Sequence, residues 1–148
     1  MKTVRQLLDQ KKHYRVWSIA PDATVFDAVE MMASKDVGAL VVLECHHLVG
    51  LIAERDYARK IVLQGKMSKE TSVRDVMEKR VATTWPHETV EECMVIMTEA
   101  RVRHLPVLEY NRLIGIISIG DLVHSIISYQ KFAIKQLEHY IQGNGAAL

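Results

Sequence analysis

Hydrophobic and polar positions along the chain follow one pattern that occurs twice. Val25, Val29 and Met32 recur at spacings of three and four residues, which predicts a helix with one buried face. Two short apolar runs follow at 38–43 and 48–53, and the polar turn ECHH between them predicts a β-hairpin. The second half repeats this order, with a helix from residue 90 and a hairpin from the runs at 104–109 and 113–118.

The two halves align without a gap when the chain is shifted by 65 positions, from Asp56 to Asp121. The aligned residues are identical at many positions: Pro21, Thr24 and Gly50 match Pro86, Thr89 and Gly115. Self-similarity over this length indicates a tandem duplication. Half a chain of this size buries too little surface to be stable alone, so we expect the copies to pack on each other around a pseudo-two-fold axis.

This pattern predicts an α/β (α+β) fold and sets the boundaries of the units. Residues 1–63 form the first repeat with a short N-terminal helix, 64–71 a polar linker, and 72–128 the second repeat. Residues 129–148 form a C-terminal helix with a frayed tail. Its apolar residues recur at near-helical spacing, and two roles stay open for them, a lid on the protein's own core or the pairing of two chains.

Composition excludes several classes of function. The 148 residues are 49% hydrophobic and 25% charged with a net charge of +1, which is typical of a globular domain and gives no basic surface for nucleic acid. Two cysteines cannot build a disulfide framework, and this indicates a reducing compartment. The N-terminus lacks the apolar core of a signal peptide, and no apolar run approaches the roughly 20 residues that span a bilayer. We therefore expect a cytoplasmic protein without a membrane anchor.

The ends of the second strands carry the candidate binding chemistry. The stretch GIISIGD places Ser118 and Asp121 after a buried strand, whereas the first copy has Ala53 and Asp56, with Arg55 between them. A carboxylate can accept both hydroxyls of a ribose, and a hydroxyl, an arginine and helix N-terminal amides suit a phosphate. The alternative, which periodicity leaves open, is that both aspartates only cap the helices that follow them.

Arg101, Arg103 and His104 lie at the entrance to the first strand of the second hairpin. Alternation along an extended segment places Arg101 and Arg103 on one side, where they could gather an anion. The alternative is a solvated charged edge, which is the usual role of surface arginines. Pro106 inside the following apolar run indicates that this strand is an edge strand or begins late.

The gapless repeat, the endings GLIAERDYARK and GIISIGDL, and the entrance RVRHLPV resemble a tandem pair of CBS domains, also called a Bateman module. The resemblance covers almost the whole chain. It implies two βαββα units packed as a disc, with clefts that bind adenosine-containing ligands such as AMP, ADP, ATP, NADH or S-adenosylmethionine. The family's strand-ending pattern of Gly, two apolar residues, Ser or Thr, two residues and Asp matches residues 115–121 in full.

The resemblance also assigns residues to the two clefts. Asp121 would hold the ribose and Ser118 the phosphate side of one ligand. Its adenine would rest against the opening strand and hairpin entrance of the first copy: Val16, Trp17, Ser18, Gly38, Ala39 and Leu40. The second cleft would use Arg55, Asp56, Thr83, Thr84, Trp85, Arg103 and His104. Here Ala53 departs from the family pattern, which implies either weaker binding or a phosphate held by Arg55 and Arg103 instead. The Asp121 cleft is expected to be the better occupied one.

Two signals resemble other chemistry without supporting it. Cys45, His46 and His47 suggest a metal site, but adjacent residues rarely converge on one ion and no second cluster supplies further ligands. Ser118, His104 and Asp121 are the three residue types of a hydrolase catalytic triad, but no nucleophile elbow surrounds Ser118.

The sequence thus favours a non-enzymatic regulatory module. It would have no catalytic cofactor, would bind an adenine nucleotide (AMP, ATP or NADH) as an energy or redox sensor, and would form a homodimer that acts on an unknown regulated protein. The alternative is a structural or interaction module whose clefts are closed by side chains.

Overall fold

The computed structural model describes residues 2–11 and 15–146. The first half contains the helices α1 (Val4–Gln10) and α2 (Val25–Lys35), the strands β1 (Ser18–Ile19), β2 (Ala39–Glu44) and β3 (His47–Ala53), and the short helix α3 (Glu54–Asp56). A π-helical segment, Tyr57–Val62, prolongs α3, and a 3-10 turn, Ser68–Glu70, lies in the linker. The second half contains α4 (Val73–Val76), α5 (Val90–Ala100), β4 (His104–Glu109), β5 (Arg112–Ser118) and α6 (Ile119–Ala146).

The two central helices, α2 and α5, begin at matching threonines of the two repeats. Thr24 and Thr89 have extended backbones, and their hydroxyls accept the N–H of the residue three positions on, Asp27 and Glu92. This is the usual N-terminal cap, which satisfies an amide that has no partner within the helix. The helices therefore start at equivalent positions of the two repeats, and the predicted α+β fold is confirmed.

Both predicted hairpins are present, with tight two-residue turns. Cys45 and His46 connect β2 to β3, Tyr110 and Asn111 connect β4 to β5, and all four have positive φ angles between 51° and 67°. Positive φ at both central residues matches the right-handed twist of the strands that they join. Each hairpin also has one register irregularity at equivalent positions, as expected of a duplicated unit. Cys45 and His46 of the suspected metal cluster are thus turn residues, and His47 is the first residue of β3.

The strand that contains Pro106 has one regular neighbour. β4 pairs with β5 in a two-stranded sheet, and on its other side an isolated parallel bridge joins Val107 to Thr84. In the first repeat the strand β1 takes the place of this bridge, and it pairs with β2 in a three-stranded sheet. Pro106 lacks a backbone donor, so its place near a sheet edge follows from its chemistry.

The short helices that precede the two repeats, α1 and α4, each pack on the other repeat. Val4 and Leu7 of α1 are buried in the second repeat's core together with Val90 and Met97. Val73 and Val76 of α4 are buried in the first repeat's core. Backbone hydrogen bonds support this arrangement, since the N–H of Val4 donates to Glu88 and that of Val73 donates to Ala23. Each core is therefore completed by a helix that precedes the other repeat in sequence.

The segment after α4 packs closely on the first hairpin. Leu51 and Glu78 exchange two backbone hydrogen bonds, of 3.0 and 2.8 Å. A Cβ atom at Gly50 would stand 2.5 Å from the sulfur of Met77, so this approach requires a glycine at position 50.

The C-terminal helix is longer than the sequence pattern suggested. α6 is a continuous helix of 28 residues that reaches Ala146, so it includes part of the segment expected to fray. Residues 147–148, the end of that tail, lie outside the described residues. Leu122 and Ser125 are buried against the second repeat, but every residue from 129 to 143 is exposed. A lid on the protein's own core is therefore not the role of this segment.

Candidate ligand-binding site

A cavity of about 760 Å³ lies between the two repeats, at the junction of their strand ends. Ser118 and Asp121 from the second repeat line it together with Trp17, Gly38 and Ala39 from the first. His104 at the start of β4 also lines it. A volume of this size is typical of clefts that hold small organic ligands. We call it the Asp121 pocket.

Ser118 and Asp121 form a reciprocal cap at the start of α6. The N–H of Ser118 donates to Asp121 Oδ2 at 2.8 Å, and the N–H of Asp121 donates to Ser118 Oγ at 3.2 Å. This is the capping box that serine and an acidic residue three positions later commonly form. Asp56 accepts the N–H of Ala53 at 2.8 Å in the same way. Both aspartates therefore have the capping role that the sequence left open, and Asp121 is in addition exposed to a cavity.

Asp121 is held in place by a lysine from the other end of the chain. Lys11 Nζ lies 2.6 Å from Asp121 Oδ2 and donates to the backbone carbonyl of Ile116 at 3.3 Å. Asp121 Oδ1 accepts no hydrogen bond from the described residues, and the side chain is 25% exposed. One carboxylate oxygen thus remains for a ligand hydroxyl.

Cations outnumber carboxylates along the walls of the Asp121 pocket. Lys11, Arg15 and Lys35 face Asp36 and Asp121 among the residues that line it. Three positive and two negative groups leave a positive balance, which favours an anionic ligand.

Two of these cations lie over the ring of Trp17. Lys35 Nζ lies 4.3 Å and Arg15 Cζ 4.7 Å from the centre of its ring, and cation–π attraction stabilises such contacts. The indole is half-buried and packs against the first repeat's core. The arrangement places an aromatic surface beside the positively charged wall.

His104 lies between the two halves of the site. Its ring packs against the backbone of Gly38, where an added Cβ would be 3.5 Å from Cε1. Burial lowers the pKa of the imidazole below its ordinary value of 6.5, and the carboxylates of Asp121 and Glu54 partly oppose this shift. Arg103 and Lys11 lower the pKa further. His104 is therefore neutral at pH 7 and contributes to the pocket an uncharged ring that can donate one hydrogen bond and accept another.

The lowered pKa of His104 predicts a loss of stability in mild acid. The unfolded chain binds the proton more readily than the folded protein does, so stability is full above pH 6.5 and falls as the pH drops through the lower folded-state pKa. Thermal unfolding between neutral and mildly acidic pH should show a steeper loss for the wild type than for His104→Gln. The exposed His139 offers the matched control: His139→Gln should retain the wild-type profile. Parallel profiles for wild type and His104→Gln would contradict the prediction.

A second pocket of about 410 Å³ occupies the pseudo-symmetric position. Ala53, Glu54 and Arg55 of the first repeat line it together with Arg103 and His104 of the second. Arg55 is already engaged, because its guanidinium donates to the carbonyl of Arg101 at 2.5 Å. Three arginines and one carboxylate line it, so its charge also favours an anion. It is smaller than the Asp121 pocket and has Ala53 in place of a hydroxyl residue.

Several residues that were expected to line the Asp121 pocket lie elsewhere. Val16 and Ser18 line a different depression together with His46 and Arg112, because neighbours of Trp17 in an extended chain face the opposite way. Leu40 is fully buried in the first repeat's core. Its side chain therefore supports the pocket from behind without lining it.

The second cleft also gathers fewer of its expected residues. Thr84 is buried, contacts Cys93 and forms the bridge to β4. Trp85 is half exposed and packs edge-on against His87. Asp56 is 8% exposed and ion-paired with Lys60 at 3.2 Å. Neither these residues nor the half-buried Thr83 nor the exposed Arg101 are among the described residues that line the second pocket.

The structure adds three basic residues that sequence reasoning missed. Lys11, Arg15 and Lys35 come from the segment after α1 and from the last turn of α2. No motif marks them, since lysines and arginines at element ends are usually solvated. The exchange of α1 onto the second repeat brings Lys11 to Asp121, and only the packed structure shows that exchange.

Other kinds of site receive no support from the described part of the chain. It contains no group of three or more His, Cys, Asp or Glu side chains that could hold a metal ion. Nor does it contain a helix that is long and apolar enough to cross a membrane.

A duplicated α+β module with a polar pocket between its halves is the class that this geometry defines. The family model of the CBS domain matches residues 5–63 and again residues 73–128. The chain therefore belongs to the CBS-domain family, as a tandem pair. Tandem CBS modules are regulatory and commonly bind adenosine-containing ligands, and no enzyme family is matched.

Relatives and solved structures agree with this assignment. The mitochondrial CBS domain-containing protein CBSX3 of Arabidopsis thaliana is 44% identical over 127 residues, which cover 82% of this chain and 62% of the plant protein. A CBS-domain protein from Burkholderia ambifaria has a TM-score of 0.83 at 45% identity, covering 86% of this chain and 95% of that one. The CBS pair of protein MJ0100, in complex with 5′-methylthioadenosine and S-adenosylmethionine, has a TM-score of 0.76 at 19% identity and covers 87% and 98%. This last likeness concerns the fold alone.

Proposed function

We propose that the protein is a regulatory sensor that binds an anionic adenine nucleotide in the Asp121 pocket. The observation that carries the proposal is the meeting, in one cavity of about 760 Å³, of Ser118 and Asp121 with Trp17, Gly38 and Ala39. Residues that are far apart in sequence thus supply an acceptor for a ribose, a helix N-terminus for a phosphate and an apolar wall for a base.

The ribose would bind at Asp121 and the phosphates near the basic wall. Asp121 Oδ1 can accept one ribose hydroxyl, while Oδ2 is fixed by Ser118 and Lys11. Arg15 and Lys35 lie on the same pocket, and a guanidinium or an ammonium pairs well with phosphate oxygens. The adenine would lie against Ala39 and the neutral ring of His104. Adenosine ligands in the MJ0100 pair support this class of ligand.

The charge of the pocket favours phosphorylated nucleotides over S-adenosylmethionine, which is a sulfonium compound. S-adenosylmethionine carries a positive sulfur and a positive amino group, and these would face a wall with three cations and two carboxylates. AMP, ADP, ATP and NADH carry phosphates, which the same wall attracts. We therefore place S-adenosylmethionine below the phosphorylated ligands for this chain.

Isothermal titration of the protein against AMP, ADP, ATP, NADH and S-adenosylmethionine tests this proposal. We expect saturable binding of at least one phosphorylated ligand, weaker binding or none of S-adenosylmethionine, and a loss of affinity as salt screens the basic wall. A stoichiometry of one ligand per chain would agree with the smaller size of the second pocket and its lack of a hydroxyl at Ala53. Preference for S-adenosylmethionine would contradict the electrostatic argument, and the absence of binding by all five would contradict the sensor proposal.

Ligand binding would act on the relative orientation of the repeats. Because Asp121 and Trp17 belong to different repeats, a ligand that contacts both favours one arrangement over others. The regulated protein would detect the resulting change of surface. A cytoplasmic location, without a catalytic role, completes the proposal, although the plant relative is a mitochondrial protein by name.

An interaction module without a small ligand is the second candidate. Lys11 already occupies Asp121 Oδ2, and Trp17 already packs against Lys35 and Arg15. Trp17 lines the pocket, so its fluorescence should change when a nucleotide binds. An unchanged emission together with a flat titration would favour this candidate.

A further inference from the structure

The distal part of α6 is an exposed structure with no counterpart in the first repeat. The helix equivalent to α6 ends near Val62, which corresponds to residue 127, whereas α6 continues to Ala146. All residues from 129 to 143 are exposed. Large apolar side chains are nevertheless frequent there, and they are 45–67% exposed: Ile127, Tyr129, Phe132, Ile134, Leu137, Tyr140 and Ile141.

A helix of this kind needs a partner to be stable in water. Isolated helices shorter than about 12–15 residues are marginal even when rich in alanine. Gly143 and Gly145 in the last turns, and the β-branched isoleucines, lower the helix propensity further. Most helical stability in proteins comes from burial of an apolar face. The apolar face of α6 therefore indicates a surface that is covered in the functional assembly.

The apolar residues follow a heptad pattern. Ile127, Gln130, Ile134, Leu137 and Ile141 recur at alternating spacings of three and four residues. The three isoleucines occupy one core position of the heptad, and Gln130 and Leu137 occupy the other. This spacing places them along one seam that suits a second helix packed at a small crossing angle. The occupant of the seam should thus be a helix with the same periodicity.

Residues beside the seam indicate that this helix is a second copy in antiparallel orientation. Lys131 and Glu138 lie on one flank, one heptad apart and opposite in charge. In an antiparallel pair like flanks face each other, so Lys131 meets the partner's Glu138 and the reverse. Ala133 and Tyr140 lie on the other flank, where the large ring of one helix can cover the small residue of the other. A parallel pair would instead place Ala133 opposite Glu138.

One register satisfies these contacts together. With the two-fold axis between residues 135 and 136, Ile134 lies opposite the partner's Leu137, and Gln130 opposite the partner's Ile141. The pair of Lys131 with Glu138 is then centred about one residue before the axis, and the pair of Ala133 with Tyr140 about one residue after it. Within residues 127–143 the overlap covers about 16 residues, or about 24 Å of helix.

We propose that residues 127–143 of α6 form an antiparallel helix pair with the same segment of a second copy of the chain. The contact is isologous, as in most two-fold dimers. It is separate from the Asp121 pocket, so the pocket can bind its ligand whether or not the pair forms.

Sedimentation velocity of the full chain over a range of concentrations tests the proposal. The wild type should dimerise, and Ile134→Asp should be monomeric at concentrations where the wild type is fully dimeric. Phe132→Asp is the matched control, because Phe132 is equally exposed but lies off the seam; this variant should remain dimeric. A monomeric wild type, or a dimer that persists in Ile134→Asp, would overturn the proposal.

Charge reversal tests the orientation of the helices. Lys131→Glu should weaken the dimer, because each Glu138 then faces a glutamate, and the double variant Lys131→Glu with Glu138→Lys should restore it. Lys135→Glu, on the outer surface of the helix, should leave the dimer unchanged. Failure of the double variant to recover would overturn the antiparallel pairing. Circular dichroism and thermal unfolding confirm that each variant remains folded.

Discussion

Replacing Asp121 with alanine should weaken adenine-nucleotide binding by at least about 10-fold, because a hydrogen bond to a charged group contributes about 1.5–3 kcal/mol. Asp121 lines the inter-repeat pocket, and its Oδ1 atom is the acceptor available to a ribose hydroxyl. Removal of the carboxylate also removes the ion pair between Asp121 and Lys11. The Kd from isothermal titration is the measurement that checks this result.

The effect on binding must be separated from the effect on the helix cap. Asp121 occupies the third position of α6 and caps it, so Asp121→Ala should also lower stability by about 1 kcal/mol. Asp27 occupies the same helix position in α2, is exposed, and does not line the pocket. Asp27→Ala should therefore bind nucleotide as the wild type does. An unchanged Kd for Asp121→Ala would remove the carboxylate from the binding site.

The second large effect is expected from the exchanged helix α1. Leu7 is 6% exposed and packs in the core of the second repeat, so Leu7→Ala should lower the free energy of unfolding by about 2–5 kcal/mol through lost burial and a residual cavity. Leu63 is 79% exposed, and Leu63→Ala should change stability by less than about 0.5 kcal/mol. Denaturant unfolding of the full chain measures both values.

A double-mutant cycle shows which repeat receives Leu7. Met97 shares the second repeat's core with Leu7, whereas the equivalent Met32 lies in the first repeat's core. Substitutions in one core usually couple, and distant ones add. Leu7→Ala should therefore couple with Met97→Ala and add to Met32→Ala. The reverse result would place α1 on its own repeat.

Local features of the fold could be predicted because their causes lie within a few residues. The spacing of Val25, Val29 and Met32 encodes the buried face of α2, and the Thr24 cap fixes where it begins. The duplication extends each of these inferences to the second half, so both hairpins were predicted from strand pattern and turn length alone.

The candidate site could be predicted only in part. Ser118 and Asp121 are recognisable because the capping box is a local sequence pattern, and the resemblance to CBS pairs directed attention to Trp17, Gly38 and Ala39. The same resemblance also included Val16, Ser18 and Leu40, which face other directions. Strand alternation could have separated Trp17 from its two neighbours.

By itself the sequence determined the duplication, the helices and hairpins of each repeat, and the chemistry at the strand ends, since periodicity and caps act over short distances. Only the tertiary structure decided that α1 and α4 exchange repeats, and that Lys11 reaches Asp121. It also decided that the apolar residues between 129 and 143 in α6 stay exposed. These outcomes depend on which of several similar apolar faces pack together, and pattern alone cannot choose between equivalent partners.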